Sequence, residues 1–289
     1  MPSVALVTCR DLPAGDEDAE LLNSALADRG VDAQWLAWDD ADQVWTHDLA
    51  VIRSTWDYTQ ARDAFLSWAR GVERLANPVD VLVWNSDKTY LRDLEAAGVP
   101  IVATSFAAPG EAIECPAADE VIVKPSVGAG SKGAGRFRGP DFTAAREHAA
   151  MLHAAGRTVL VQPYLAEVDV TGETALIYID GLFSHAVTKG AMLPAGTVNP
   201  LDPGFSHSLF VEERITPTDA SDAELAVGQR AMTEVSRRFG APLLYARVDL
   251  LPSRNGPVLV ELELTEPSLF LAEGDGAAER FAAAIGARA

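Results

Sequence analysis

Lysine, cysteine and long apolar runs are what this sequence has least of. Two cysteines in 289 residues, Cys9 and Cys115, build no disulfide framework and suit a reducing compartment. No apolar stretch approaches the roughly 20 residues that cross a bilayer. The first, Val4 to Cys9, is of strand length and runs into Arg10-Asp11, so no secretory leader is expected and a cytoplasmic location is. Basic residues are outnumbered, 23 against 42 acidic ones, for a net charge of -19. That balance argues against nucleic acid or an anionic membrane as partner, while a local basic cleft can still hold a small anion. With 48% hydrophobic and 22% charged residues, the rest is the composition of an ordinary globular protein. It is long enough for two or three packed units and compatible with a homodimer. Of its basic residues only Lys88, Lys124, Lys132 and Lys189 are lysine, and the others are arginine. An ammonium is a compact point charge suited to phosphate oxygens, which makes those four positions worth following.

All six tryptophans fall within the first 84 residues, and the glycine-rich and glutamate-rich motifs come later, so a boundary is placed near residue 86. The expected division is 1–86, 87–165 and 166–289. The first segment reads as a small parallel α/β unit, with strands at Val4 to Val7, Ala33 to Leu36, Leu49 to Ile52 and Val81 to Trp84. Its helices fall at about Asp16 to Arg29 and around Phe65, Trp68, Ala69 and Val72. Next, Ser86 can cap a helix running to Ala97. Strands at Val121 to Lys124 and Val159 to Gln162 flank a helix carrying Phe142, Ala145, Ala149 and Leu152. From Ala175 a hairpin turns at Asp180-Gly181, and residues 190 to 208 read as a long binding loop or lid. The capping box Ser221-x-x-Glu224 opens a helix, and strands Leu243 to Leu251 and Val258 to Leu264 close the fold.

The sharpest chemical signal is in those last strands. Residues two apart share a strand face, so Glu261 and Glu263 lie on one side of Val260-Glu-Leu-Glu-Leu264. Pairing outward from a turn at Ser253 to Gly256 sets Asp249 beside Glu261, with Arg247 on the same face. Three such carboxylates repel one another and call for positive charge, and an all-oxygen set favours Mg²⁺ or Mn²⁺. A solvated strand face with Arg247 and water as partners is the other reading. The second signal is Lys124-Pro-Ser-Val-Gly128-Ala-Gly130-Ser131-Lys-Gly133-Ala-Gly135, a strand end and a loop of bare amides suited to phosphate oxygens. Gly128-x-Gly130-x-x-Gly133 also spells a dinucleotide fingerprint, but the helical pattern begins only near Asp141, so a phosphate-covering loop is the preferred reading. Lys88 sits in the first turn of a helix. The stretch Gln162-Pro-Tyr164-Leu165, followed by Glu173, is a hinge whose backbone and carboxylate suit an adenine edge and ribose, or else a plain acidic turn.

In this order Lys88, Lys124, the glycine loop, the Gln-Pro-Tyr-Leu hinge, Asp249 and Glu261-Leu-Glu263 resemble the ATP-grasp superfamily, the fold of glutathione synthetase and D-alanyl-D-alanine ligase. The resemblance covers about residues 81 to 270, and the Trp-rich unit matches the Rossmann-like domain that precedes the grasp. It implies an α/β (α+β) fold in which Lys88, Lys124, Gly128, Gly130, Ser131 and Gly133 hold ATP phosphates. Gln162, Tyr164 and Leu165 would meet adenine, Glu173 would take the ribose, and Asp249, Glu261 and Glu263 would bind two Mg²⁺ ions. Two departures stand out: Glu263 occupies a place where Asn is usual, and Ala175 stands where related ligases carry an Arg aimed at the acyl phosphate. Lys189, Arg247 or Arg53 are the candidates to supply that charge, with Lys189 and Arg247 preferred as catalytic groups.

Within the superfamily, Leu6-Val-Thr-Cys-Arg10, Arg53-Ser-Thr-Trp56-Asp57-Tyr58 and Glu261-Leu-Glu-Leu-Thr-Glu-Pro-Ser-Leu-Phe270 are most similar to the cycloserine synthetase group of O-ureido-serine cyclo-ligases. That likeness implies a ligase that phosphorylates a substrate oxygen, on the ureido group, and lets an amine of the same small, amino-acid-like molecule displace phosphate. The ring of D-cycloserine would close as ADP is released. Arg53, Trp56, Asp57 and Tyr58, at the carboxyl end of a strand, are then candidates for binding the second substrate, or form an aromatic packing corner. An intermolecular carboxylate-amine ligase and, more distantly, an NAD(P)-dependent oxidoreductase stand beside this reading. Cys9 is read as packing; His185 and His207 are read as surface positions that can also line the substrate site.

Overall fold

The structure, a computed structural model, describes residues 1–191, 193–201, 214–240 and 242–289. The first sheet is built from β1 (Ser3–Thr8), β2 (Asp32–Ala37), β3 (Leu49–Ser54) and the two-residue β4 (Leu75–Ala76), all parallel, in the order β2-β1-β3-β4. Helices α1 (Ala19–Ala27) and α2 (Arg62–Gly71) make the crossovers. This is the expected Rossmann-like unit with one correction. Val79–Asn85, expected as a strand at Val81 to Trp84, is helix α3, and the fourth strand is β4. Four apolar residues in a row carry no period of their own; here Pro78 starts the helix, and Val81, Leu82 and Asn85 are buried at helical spacing. Ser86 closes α3, and α4 follows at Tyr90–Ala96.

A second, antiparallel sheet is formed by β5 (Ser105–Ala107), β6 (Glu120–Pro125), β7 (Gly135–Arg138) and β8 (Val159–Pro163) in the order β5-β8-β6-β7, covered by α5 (Thr143–Ala154). Its core, from Ala107 to Val161, is its own. The glycine loop joins β6 to β7, two antiparallel strands. The dinucleotide fingerprint is therefore a hairpin connection with no helix behind it, which removes the structural basis of the oxidoreductase reading.

After the short α6 (Val168–Thr171), the third sheet comprises β9 (Glu173–Ile179), β10 (Leu182–Lys189), β11 (Ile215–Thr218), β12 (Tyr245–Leu251) and β13 (Val258–Glu263), ordered β11-β10-β9-β12-β13. The β9–β10 turn places both Asp180 (φ 54°) and Gly181 (φ 74°) in the left-handed region that a tight hairpin needs. Helix α7 (Asp222–Phe239) carries the expected capping box, with Ser221 and Glu224 exchanging hydrogen bonds, and α8 (Ala277–Gly286) ends the chain.

Period-two alternation gives this sheet two dissimilar faces. Leu176, Tyr178, Val248, Leu250 and Leu262 pack with α3, α4 and α7. On the opposite face, Ala175, Ile177, Ile179 and Tyr245 join one core with Val4 and Leu6 of β1 and Phe281 of α8, so the first and last segments share their interior. The remainder of that face is polar. Among the described residues no helix is long and apolar enough to cross a membrane.

Candidate active site

The polar end of the third sheet is a row of charges set by register. Lys189 pairs with Glu173, Ala175 with Asp249, Asp249 with Glu261 and Arg247 with Glu263. These strands put alternating carboxylates and cations on one face, under the antiparallel sheet, and a cavity of about 240 Å³ lies between them. That is room for a small molecule rather than a few waters. All four lysines of the chain line it, with Arg247, facing Glu173, Asp249, Glu261, Glu263 and Glu266. The scarcity of lysine is thus positional: every one of them points at the same cavity.

Each strand carboxylate is matched to a cation. Asp249 lies 2.9 Å from Lys189 Nζ and 2.9 Å from Arg247 Nε. Burial would raise its carboxyl, but the two cations overcome that and hold it at about 2. Glu261 meets Lys88 Nζ at 3.0 Å, and Lys88 with Lys124 pulls it below the usual range against burial. Glu263 pairs with Arg247, and Glu173 with Lys189. Glu263 is nonetheless pushed up to about 7, by burial first and then by Glu261 and Asp249. Lys124 is paired with no carboxylate among the described residues, and burial lowers its ammonium.

Asp249, Glu261 and Glu263 share the face and line the cavity, yet among the described residues no three His, Cys, Asp or Glu side chains gather closely enough to hold a metal by themselves. The reason is visible in the ion pairs, since each carboxylate is turned to a cation. The donor set still fits a hard cation that takes one or two protein carboxylates and fills its other positions with phosphate oxygens and water, as Mg²⁺ usually does.

The glycine hairpin is tied to this row. Lys88 donates from Nζ to Gly128 O at 2.6 Å and from its backbone N to Ser126 O at 2.8 Å, bridging the loop to Glu261. Gly128, Gly130, Ser131 and Lys132 line the cavity. Gly133 does not; its carbonyl meets His148 Nε2 at 2.8 Å, and its N–H donates to Pro200 O at 3.0 Å. The chain beyond Lys189 lies against the hairpin over 193–201, where Val198 bridges Gly135. The rest of the expected 190–208 loop, and His207, fall outside the described residues. At the far end Gln162, Tyr164 and Leu165 line the cavity beside Val102, Ile122 and Leu251. Gln162 Nε2 donates to Thr104 Oγ1 at 2.9 Å, and Tyr164 N donates to Glu120 O at 2.9 Å. That leaves the Leu165 amide as the hinge donor with no acceptor among the described residues.

Of the four residues expected to bind a second substrate, only Trp56 lines the cavity. Arg53 is wholly buried behind it, 3.2 Å from Asp16 and 3.8 Å from Asp18. Asp57 accepts from Trp38 Nε1 at 2.8 Å, and Tyr58 packs against Phe65. Arg53 therefore does not supply the charge missing at Ala175, whereas Lys189 and Arg247 stand in the cavity beside it. Cys9 is buried and its thiol is pushed up to about 11 by burial, which agrees with packing. His185 is buried as well, holding the carbonyls of Leu269 and Phe270. Sequence reasoning passed over Glu266 and Ser268 as site residues, although they lie in the same phrase as Glu261 and Glu263. Only the turn of the chain after β13 shows that they face inward.

This architecture is shared with proteins of known structure and name. Residues 4–77 match the family model of the N-terminal domain of D-cycloserine synthetase DcsG. The whole chain aligns with the cycloserine biosynthesis protein DcsG of Streptomyces lavendulae, 37% identical over 306 positions and covering 100% of this chain and 99% of that one. The chain belongs to the D-cycloserine synthetase family. The crystal structure of D-cycloserine synthetase DcsG superposes with a TM-score of 0.87 at 35% identity, over 99% of both chains. D-alanine–D-alanine ligase of Bacillus anthracis, at 12% identity, a TM-score of 0.66 and coverage of 100% and 97%, shows the ATP-grasp fold alone. As a member of the D-cycloserine synthetase family, the chain is an enzyme, a ligase on that fold, of the cycloserine biosynthesis type.

Proposed function

We propose that this enzyme closes O-ureido-D-serine to D-cycloserine with consumption of ATP in the presence of Mg²⁺. The observation that carries the reading is full-length kinship with a cycloserine biosynthesis protein together with a cavity into which all four lysines converge. The ring bond of the product joins the carboxyl carbon to nitrogen. The oxygen to be activated is therefore a carboxyl oxygen, not the ureido oxygen that resemblance suggested. Bound Mg²⁺-ATP supplies the phosphoryl group that makes this oxygen a leaving group, and Mn²⁺ can substitute. The oxygen-bearing ureido nitrogen then attacks the carbonyl and phosphate leaves. Water afterwards hydrolyses the carbamoyl group from that nitrogen, which keeps a proton while the fragment departs as carbamate and breaks down to carbon dioxide and ammonia.

The chain's part is positional and electrostatic. Lys88 and Lys124, with the amides of Gly128, Gly130 and Ser131, would hold phosphate oxygens, and one or two of Asp249, Glu261 and Glu263 would hold the metal, its other positions filled by phosphate oxygens and water. Glu173 would take the ribose, the Leu165 amide the adenine edge, and the Gln162 side chain would stay with Thr104. Lys189 and Arg247, on the sheet face that carries Ala175, would face the charge developing on the acyl phosphate. The glycine hairpin would keep water from that intermediate. The test is ADP release from purified enzyme with Mg²⁺-ATP and O-ureido-D-serine, with mass spectrometry for cycloserine in the same tube. ADP with cyclic product supports the reading, and E261Q should abolish it. ADP formed only when a separate amine is added would replace ring closure by intermolecular ligation.

A further inference from the structure

The segment after β13 is fixed from several sides at once. Leu264 O accepts from Asn77 Nδ2 at 2.8 Å, Thr265 O from the Tyr245 hydroxyl at 2.9 Å and Glu266 O from Trp56 Nε1 at 3.1 Å. Pro267 O accepts from Arg53 at 3.3 Å and Ser268 O from Arg247 at 3.2 Å, and His185 Nε2 meets the carbonyls of Leu269 and Phe270 at 3.0 and 3.1 Å. Leu271 N donates to Asp18 at 2.8 Å. Every carbonyl from 264 to 270 is thus met by a side chain, a degree of fixing a surface loop does not need.

What this strap holds in place is the side chain of Glu266. It is 7% exposed and lines the cavity. Among the described residues its carboxylate makes no hydrogen bond and no ion pair, while the other four carboxylates of the cavity each have a cation. A buried carboxylate without a partner costs several kcal/mol unless something positive joins it. Burial pushes its carboxyl well above the usual range, with Glu263 and Glu261 adding to the push and Lys88 and Arg247 opposing it.

We propose that Glu266 receives the α-ammonium group of the amino-acid substrate. The assignment rests on the ring-closing reading above, in which that ammonium takes no part in bond making and is left for recognition. Asp57, the acidic residue that sequence reasoning offered for this segment of the site, is already held by Trp38 and does not line the cavity. Trp56 would border the same end, its indole tethering the backbone that carries Glu266.

The test compares O-ureido-D-serine with its deamino analogue, 3-(ureidooxy)propanoate, in wild-type enzyme and in E266Q, by ADP release. A charge-assisted pair contributes about 1.5–3 kcal/mol, so wild type should prefer the amino substrate by about 10–140-fold in kcat/KM. In E266Q that preference should collapse through a raised KM for the amino substrate alone, with the KM for Mg²⁺-ATP unchanged. E266Q keeps the size of the side chain and cannot ionise, so it should melt at or above the wild-type temperature. If it does not fold, E266D decides: it should raise KM for the amino substrate and leave that of the deamino analogue. A preference retained in the variants, or an equal rise in the KM for Mg²⁺-ATP, overturns the assignment while wild-type turnover leaves the ring-closing reading standing. A wild type that releases no ADP with O-ureido-D-serine overturns both.

Discussion

Gly172 shows how one residue without a side chain aligns a charged pair. Its φ is +78°, and a Cβ there would stand 2.6 Å from the carbonyl oxygen of Lys189. Glu173 follows directly and pairs across the ladder with Lys189, whose ammonium also meets Asp249. G172A is therefore strained in backbone and blocked by a main-chain atom that cannot swing aside. Because the obstacle is the strand that carries Lys189, the expected loss is at least tenfold in kcat/KM for ATP in an enzyme that still folds, read by steady-state ADP release beside a thermal melt. Asp57 makes a different residue-scale prediction. Burial, against its hydrogen bond from Trp38, raises its carboxyl from near 4 to about 6. A carboxyl raised on folding binds more protons folded than unfolded, so its contribution is most favourable below pH 4 and is lost as pH climbs through 6. D57N stays neutral throughout; it should melt a few degrees higher than wild type at pH 8 and no higher below pH 4. Its KM values should be unchanged, since Asp57 lies behind the cavity wall.

At the scale of elements, α3 fixes the strand that bears two of the site carboxylates. Asn85, its last residue, is buried and donates to Leu262 O at 2.7 Å while accepting from Leu264 N at 2.7 Å. It thereby grips β13 on either side of Glu263. N85A leaves both backbone groups without their partner, at a cost of about 2–4 kcal/mol, and lets Glu261 and Glu263 drift. A lower urea midpoint and a higher KM for Mg²⁺-ATP should appear together in this variant. The same element marks where sequence stops informing. The strands β9 and β10 were legible because Asp180-Gly181 between two apolar runs marks a tight turn, β13 because its Glu and Leu residues alternate, and the Asp249–Glu261 register followed from counting outward from the turn at Ser253 to Gly256. Val81 to Trp84 was not legible as a helix, because four consecutive apolar residues fit either period. The function of Asn85 was hidden further still: its partners lie 177 and 179 residues away. Arg53 and Tyr58 were misplaced for the opposite reason, since position after a strand suggested a ligand whereas burial between Tyr245 and Phe281 makes Arg53 an internal strut. The cavity's lysines could be read early because a rare residue type leaves few positions to choose from.

For the whole molecule, the distribution of cores sets how it comes apart. The first sheet, α8 and the third sheet share one interior, in which Phe281 is fully buried against Tyr245 and Arg53. The second sheet keeps a core of its own, with Leu152 fully buried under α5. The site lies between the two bodies, carboxylates on one and the glycine hairpin on the other, linked by Lys88. All six tryptophans are in the first segment, packed in the cores on either side of the first sheet or, for Trp84, against the third, so their fluorescence reports the body built on those two sheets and hardly the second sheet. F281A should cost about 3–5 kcal/mol and lower the tryptophan transition and the far-ultraviolet circular dichroism transition together. L152A, with a cavity cost of about 2–5 kcal/mol, should lower the dichroism transition while leaving the tryptophan one nearly in place. If instead both variants move both probes equally, the two bodies unfold as one unit. If they separate, the glycine hairpin can lift with its whole sheet to admit substrate, and saturating Mg²⁺-ATP, gripped from both sides, should bring the two transitions back together.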